Sequence, residues 1–440
     1  MNFGKLEIGP VQNASKIVIR PARNLAGAVQ LPGDKSISHR YAMLAAIAQG
    51  TTTLENFSAG ADCASTLSCL RSLGVPWERD AGRVVIQGRG MKLSAPQAPL
   101  DCGNSGSTMR MLSGILAAQE FASELFGDES LSRRPMARII APLEAMGAKI
   151  ASQPGGRPPL RITGATLKAI NYEMPMASAQ VKTALLFAGL FADGETRVVE
   201  PTRTRDHGEL ALRAFGAQVK QQGNAASIQG RQQLHAIEAV IPGDASSAAF
   251  FLCAAAIFPG SRLVISHVLM NPTRARLLDV LILMGVGITV TPLEEQHGEL
   301  IGTINVEGRH LRGMSLFGAD SAALIDEVPV LAAIAPYTSD GIEIRDAREL
   351  RVKESDRIAA VAANLRAMGA EVEEREDGLK IAGKQKLHGA EIDSFGDHRI
   401  AMAFAVAALR AEGETIIRGA DVAGISYPAF FETLDILLAR

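Results

Sequence analysis

Residues 31–40 read LPGDKSISHR, and residues 241–250 read IPGDASSAAF. Each copy is a Pro-Gly-Asp turn, then a Ser, then a run of small apolar residues: YAMLAAIAQG after the first, FLCAAAIFPG after the second. Asp followed by such a run reads as a capped helix start. The charges differ between the copies. Ala245, Ala249 and Phe250 stand where the first copy has Lys35, His39 and Arg40. What both copies share answers to the fold. Lys35 and Arg40 are left for binding, and His39 reads as part of a polar surface.

Working outward from these twins, a longer repeat emerges. Five helix endings run through Gly into a strand: LRSLGVPW at Gly74, LEAMGAKI at Gly147, LRAFGAQV at Gly216, LILMGVGI at Gly285 and LRAMGAEV at Gly369. A left-handed Gly closing a helix explains each. A second short strand then ends at Gly88, Gly164, Gly230, Gly308 and Gly383, giving five β-hairpins. Six helices rich in Ala, Ser, Leu and Met open at Lys35, Gly106, Ser178, Ala245, Ser321 and His398, in phase with the hairpins. Their small side chains suit buried helices. The last unit lacks a hairpin, and the segments SKIVIR and AGAVQL near the start are expected to supply its strands. The reading is an α/β fold of two domains with three units each. Residues 1–32 with 242–440 form one domain and 33–241 the other, so that the two Pro-Gly-Asp turns are the crossovers beside an interdomain cleft.

A net charge of −2 gives no global field for nucleic acid or an anionic membrane, and the longest apolar run, Ala248 to Phe258, is too short to span a bilayer. The start MNFGKLEIGPVQNASK has no apolar signal core, so a cytoplasmic location is expected. Cys63, Cys69, Cys102 and Cys253 form no ligand-like cluster with His and read as small buried residues in a reducing compartment; no metal site is expected.

Basic residues gather at unit ends. Lys35 and Ser36 lie at a helix start, where free N–H groups attract anions, with Arg40 one turn on. GDESLSRRPM (127–136), Arg203 and Arg205 in PTRTRDH, ELRVKESDR (349–357) and GDHR (396–399) add further cations. Each alone could be a solvated loop. Together, in a near-neutral chain, they suit a multiply anionic small molecule rather than a polymer. Asp326 and Glu327 interrupt what reads as an apolar helix, ALIDEVPVLAAIA, and acids there are either paired or used as a general acid or base. Glu354, between Lys353 and Arg357, is held ionised by these neighbours or relays a proton.

PGDKSISHR, CGNSGSTMR, GDESLSRRPM, the triplet Ser178-Ala179-Gln180, IDEVP, RVKESDR and GDHR resemble, in order and spacing, the motifs of the enolpyruvyl transferases. Within that family the chain is most similar to the branch acting on shikimate 3-phosphate. The resemblance implies a two-domain inverse α/β barrel of six βαβαββ units and no metal or organic cofactor. It implies transfer of the enolpyruvyl group of phosphoenolpyruvate to the 5-hydroxyl of shikimate 3-phosphate, with release of phosphate, in a monomer. Lys35, Ser36, Arg40, Ser178, Ala179, Gln180, Arg205, Asp326 and Lys353 then hold shikimate 3-phosphate. Lys35, Gly106, Arg134, Arg357 and Arg399 hold phosphoenolpyruvate. Asp326 is the base for the 5-hydroxyl, and Glu354 or Lys35 protonates the methylene carbon. Glyphosate is the implied inhibitor, with Gly106 leaving room for it.

Two positions depart from the pattern. Ile425 stands where many relatives have Lys, and Glu349 where some have Asn. The sister branch, which loads UDP-N-acetylglucosamine, favours Lys-Asn over Lys35-Ser36 and carries Cys where Glu129 stands here. A repeat scaffold that binds a sugar phosphate without catalysis would need the cations but neither Asp326 nor Glu354.

Overall fold

The computed structural model describes residues 15–439, so the parts of the expected domains at 1–14 and 440, with most of the N-terminal segment, lie outside the described residues. Five hairpins stand where the Gly-punctuated segments place them: Trp77–Asp80 with Arg83–Gln87, Lys149–Gln153 with Arg157–Thr163, Val219–Gln222 with Ala225–Gln229, Gly287–Gln296 with Glu299–Glu307, and Val372–Arg375 with Gly378–Ile381. Five of the small-residue helices are continuous: Lys35–Ile47, Gly106–Leu116, Ala179–Gly189, Ala245–Ala256 and His398–Ala408. Each is capped by the polar residue before it. Asp34 accepts from the Ile37 N–H at 2.9 Å, and Asp244 accepts from Ser247 N–H at 2.9 Å.

The fifth helix departs from its reading. It is split into Ala319–Ala323 and Val328–Ile334, so Asp326 and Glu327 occupy the turn between two short helices rather than the middle of one. Pro329 explains the break. It has no N–H to give to the preceding turn, and it sits at the start of the second piece, where that donor is not needed.

The described strands form six small sheets. In four of them the strand before a buried helix pairs in parallel with the strand after it; Leu100–Asp101 with Ala122–Phe126 is one example. At the Pro-Gly-Asp segments the partners are exchanged. Asn24–Gln30 precedes the Lys35–Ile47 helix but pairs with Arg262–Leu269, while Glu238–Val240 precedes the Ala245–Ala256 helix but pairs with Thr51–Glu55. AGAVQL therefore does not complete the last unit. It joins the sheet of Arg262–Leu269, while Asn24 and Leu25 just before it pair with Leu438–Ala439. Only Lys16–Ile19, within SKIVIR, fills the missing hairpin position, antiparallel to Thr415–Arg418.

Buried apolar side chains gather in two clusters. One draws on residues 37–241 with Leu269, the other on residues 19–31 and 248–437. Between them the crossovers lie antiparallel. Asp34 N–H donates to Pro242 O (2.7 Å), and Asp244 N–H donates to Pro32 O (3.0 Å). The Asn56 amide bridges both strands, donating to Leu31 O at 3.3 Å and to Ile241 O at 2.9 Å. The approach is tight enough that a Cβ at Gly33 would lie 1.8 Å from Asn56 O. His39 is no surface residue. It is fully buried, its Nδ1 2.7 Å from Thr66 Oγ1.

Cavities of about 590 Å³, beside Tyr337 and Arg410, and about 420 Å³, beside Ile47 and Phe191, adjoin the carboxyl ends of the buried helices. Neither contains a candidate site residue, and the cation Arg410 there is used to bind Ile257 O at 2.7 Å. No described helix is long and apolar enough to cross a membrane. Gly33→Ala is expected to destabilise the fold by more than about 3 kcal/mol, whereas Gly424→Ala, where a Cβ meets nothing within 4 Å, should change it by less than about 0.5 kcal/mol; urea unfolding of the two variants checks this.

Candidate active site

The starts of the buried helices and the loops before them converge on a cluster of charged side chains drawn from both cores. Arg357 is its centre. It opens the Arg357–Ala367 helix and is 1% exposed. Its Nε donates to Asp397 Oδ2 at 2.8 Å and its Nη2 to Glu354 Oε2 at 2.6 Å. Its Nη1 lies 3.5 Å from Asp326 Oδ1 and makes no hydrogen bond. A buried guanidinium edge left in this way keeps donor capacity free for an oxygen acceptor.

Asp326 stands between the two cores. Its Oδ2 accepts from Arg205 Nη2 at 2.7 Å, and its backbone carbonyl accepts from Arg399 Nη1 at 2.8 Å. Burial alone would raise its pKa. Arg399, Arg205, Lys353 and Arg357 outweigh burial and hold it well below the ordinary carboxylate range. Glu354 is balanced in the same way. Burial raises it, but Arg357, Arg134 and Lys35 keep it ionised. Arg134 reaches Glu354 Oε1 from the other core at 3.4 Å and Asn104 Oδ1 at 2.8 Å. Lys35 donates its backbone N–H to Asp244 Oδ2 at 3.0 Å and its Nζ to Asp62 Oδ2 at 2.9 Å. Burial would lower its pKa, but Asp62 and Glu354 raise it, so the ammonium keeps its proton.

Arg40 donates from Nε and Nη2 to Thr183 Oγ1, at 3.2 and 3.0 Å, and from Nη1 to Ser36 O at 3.0 Å. Burial, with Arg205 adding to it, lowers its pKa to about 10 against the pull of Glu209 and Asp34. Ser178 caps its helix through Val181 N–H, at 3.4 Å, and Ala179 is the first helical residue. Gln180 donates to Ser107 Oγ and accepts from Arg110 Nη1, both at 2.8 Å. A Cβ on Gly106 would come 2.8 Å from Arg110 Nη1 and 3.4 Å from Arg134 Nη1. The room at Gly106 is thus bounded by two guanidinium tips.

Several expectations are redrawn. Lys353 is not the partner that holds Glu354; its Nζ lies 3.4 Å from Glu349, the acid at the departing position. Arg351 serves the fold through Asp356 and Glu374. Arg203 pairs with its neighbour Asp206 at 3.0 Å. In GDESLSRRPM, Arg133 is exposed and only Arg134 enters the cluster. Ile425 ends a 3-10 helix, Ala420–Ile425, whose carbonyl would lie 2.6 Å from a Cβ on Gly60. It brings backbone and no charge to the cleft. Asp62, Arg110 and Asp397 were missed. Arg110 alone had a readable signal, one helical turn beyond Gly106.

A profile of the family "EPSP synthase (3-phosphoshikimate 1-carboxyvinyltransferase)" matches residues 19–434. The chain belongs to the EPSP synthase family. It is 61% identical over 423 residues to the 3-phosphoshikimate 1-carboxyvinyltransferase of Koribacter versatilis, covering 96% of this chain and 99% of that one. It is 55% identical over 418 residues to the enzyme of the same name from Solibacter usitatus, covering 95% and 98%. The solved EPSP synthase of Acinetobacter baumannii superposes with a TM-score of 0.86 at 44% identity, covering 97% of this chain and 98% of that one. The chain is an enzyme of the shikimate pathway, a transferase with EPSP synthase activity, and the UDP-N-acetylglucosamine branch is not favoured.

His398, at the start of the last buried helix, is 1% exposed. Burial and the Lys35 ammonium depress its pKa from 6.5 to about 4, against Asp397 and Glu354. Between those values the unfolded chain binds a proton that the folded chain refuses. This contribution to stability is full above pH 6.5 and is lost as the pH falls towards 4. The loss is expected to be about 3 kcal/mol smaller in His398→Gln than in the unaltered protein, measured by urea unfolding at pH near 7 and near 4.

Proposed function

We propose that this cluster binds phosphoenolpyruvate and shikimate 3-phosphate side by side, and that Asp326 removes the proton of the 5-hydroxyl as the enolpyruvyl group is transferred. The observation that carries the reading is the state of Asp326. It is a half-buried carboxylate faced by cations of both cores, accepting from Arg205 Nη2 at 2.7 Å and lying 3.5 Å from Arg357 Nη1. Both substrates are multiple anions, which paired guanidinium forks and ammonium groups hold well.

Arg40, Ser36, Ser178, Ala179, Gln180, Arg205 and Lys353 form the shikimate 3-phosphate side. In support, the Arg40 and Arg205 guanidiniums are near enough to repel one another, as two groups awaiting one anion would be. Arg134, Arg357, Arg399 and the space at Gly106 form the phosphoenolpyruvate side, and Lys35 lies between. The unliganded charge states favour Lys35 as the proton donor to the methylene carbon, because it carries a proton and Glu354 does not. As the adduct loses phosphate, the Lys35 amine takes a proton back from the new methyl group, which restores the ammonium and re-forms the vinyl group. As the tetrahedral adduct expels phosphate, Arg134 and Arg357 stabilise the departing charge.

The two apolar cores correspond, in this reading, to two domains of an inverse α/β barrel, residues 1–32 with 242–440 and residues 33–241. The site then lies in the cleft between them, and contacts such as Gly60 with Ser426 close it against water. Four free, buried cysteines suit a reducing cytoplasm.

A coupled phosphate-release assay with both substrates is the direct test. Asp326→Ala is expected to lower kcat by 10²- to 10⁴-fold in a folded protein, and robust turnover by that variant would remove Asp326 from its role. Glyphosate is proposed to occupy the phosphoenolpyruvate side. Gly106→Ala should push Arg110 Nη1 from its 2.8 Å approach and raise the glyphosate inhibition constant roughly tenfold or more, read from competition against phosphoenolpyruvate; an unchanged constant would place the inhibitor elsewhere.

A further inference from the structure

Lys182 is 1% exposed, on the Ala179–Gly189 helix two residues beyond Gln180. Its Nζ lies 2.7 Å from Glu200 Oε2 and 2.7 Å from Glu209 Oε1, and those acids are 3% and 0% exposed. Three charged groups in a core are costly to desolvate, several kcal/mol for each ion, and an apolar filling is commonly as stable or more so. The fold does not ask for them. The position four residues past the helix cap is Ser38, Met109, Ala248 and Ala401 in other units, all buried. Only this unit places a Lys there.

The network has a geometric consequence. Glu200 follows the strand Glu195–Val199, and its carboxylate accepts twice from Thr204: from the backbone N–H at 3.2 Å and, closely, from the hydroxyl. The loop 200–204 is thus closed by its first side chain upon its last residue. The next residue is Arg205, whose guanidinium reaches Asp326 Oδ2 at 2.7 Å. Glu209, the other acid on Lys182, acts on the Arg40 guanidinium.

We propose that Lys182, Glu200 and Thr204 are positioning residues that set Arg205, together with Arg40, at the spacing the phosphate of the acceptor substrate requires. The inference rests on the reading of the cleft given above. None of the three side chains touches substrate; they act through the loop that carries Arg205.

The test is steady-state kinetics of Thr204→Val, with Thr204→Ser as the variant that keeps the hydroxyl. Thr204→Val is expected to raise the KM for shikimate 3-phosphate roughly tenfold while the KM for phosphoenolpyruvate stays within about twofold, and Thr204→Ser is expected to restore the first value. Glu200→Gln, which keeps an acceptor but loses the charge, carries the same test if Thr204→Val does not fold. An unmoved KM for shikimate 3-phosphate overturns the inference, and so does a parallel rise in both KM values, the mark of general loosening. If the unaltered enzyme turns over neither substrate, the reading of the cleft fails and the inference with it. An active enzyme with an indifferent Thr204→Val sinks the inference alone.

Discussion

Two Pro-Gly-Asp segments lying antiparallel across one another are the constraint on which this molecule depends. The chain passes from one core to the other there, and the strands before the two helices are exchanged, so Asn24–Gln30 serves one core and Glu238–Val240 the other. The crossing is held by main-chain hydrogen bonds and the Asn56 amide, with no space at Gly33 for a side chain. It also sets two capping carboxylates side by side. Burial and Asp244 push the Asp34 pKa up. Despite its own burial, Asp244 is held down by Arg274 and by the Lys35 and Ser247 backbone N–H groups. Arg274 anchors Ser246, which donates to Glu327 at 2.5 Å, beside Asp326. The second twin, which lacks the Lys and Arg of the first, thus fixes the turn that carries Asp326.

The cleft stores charge rather than spacing it out. Asp326 and Glu354 would be costly half-buried acids if alone, and Arg357 a costly buried cation. They are tolerable because each half brings the counter-ions of the other, as in Arg205 with Asp326 and Arg134 with Glu354. In the proposed reading, anionic substrates entering such a site exchange one set of partners for another, so much of the desolvation is met before binding. Transition-state charge is then stabilised by groups already in place.

Much of this was legible from local chemistry. Caps, left-handed glycines and hairpins depend on neighbours in sequence, which is why the helix starts at Lys35, Gly106, Ser178, Ala245 and His398 could be read directly. Parallel pairing is not local. AGAVQL found its partner more than two hundred residues away, and nothing in its own residues distinguishes that strand from Thr415–Arg418. The fifth helix was over-read because the apolar pattern of ALIDEVPVLAAIA hid the consequence of Pro329. His39 looked like surface because burial of a lone polar residue depends on what packs over it, here Thr66. Lys353 and Glu354 are adjacent in sequence yet point to different partners, Glu349 and Arg357. Asp62 carried no readable signal, since only the fold brings it to Lys35.

Comparison of the twins assigns fold to what they share and binding to what they do not. Titration calorimetry of shikimate 3-phosphate with Lys35→Met addresses that division most directly. The expected result is an affinity at least about a hundredfold weaker, with a melting temperature within a few degrees of the unaltered protein, because Ala245 fills the same position in the second copy. An affinity that survives, with stability lost instead, would contradict it.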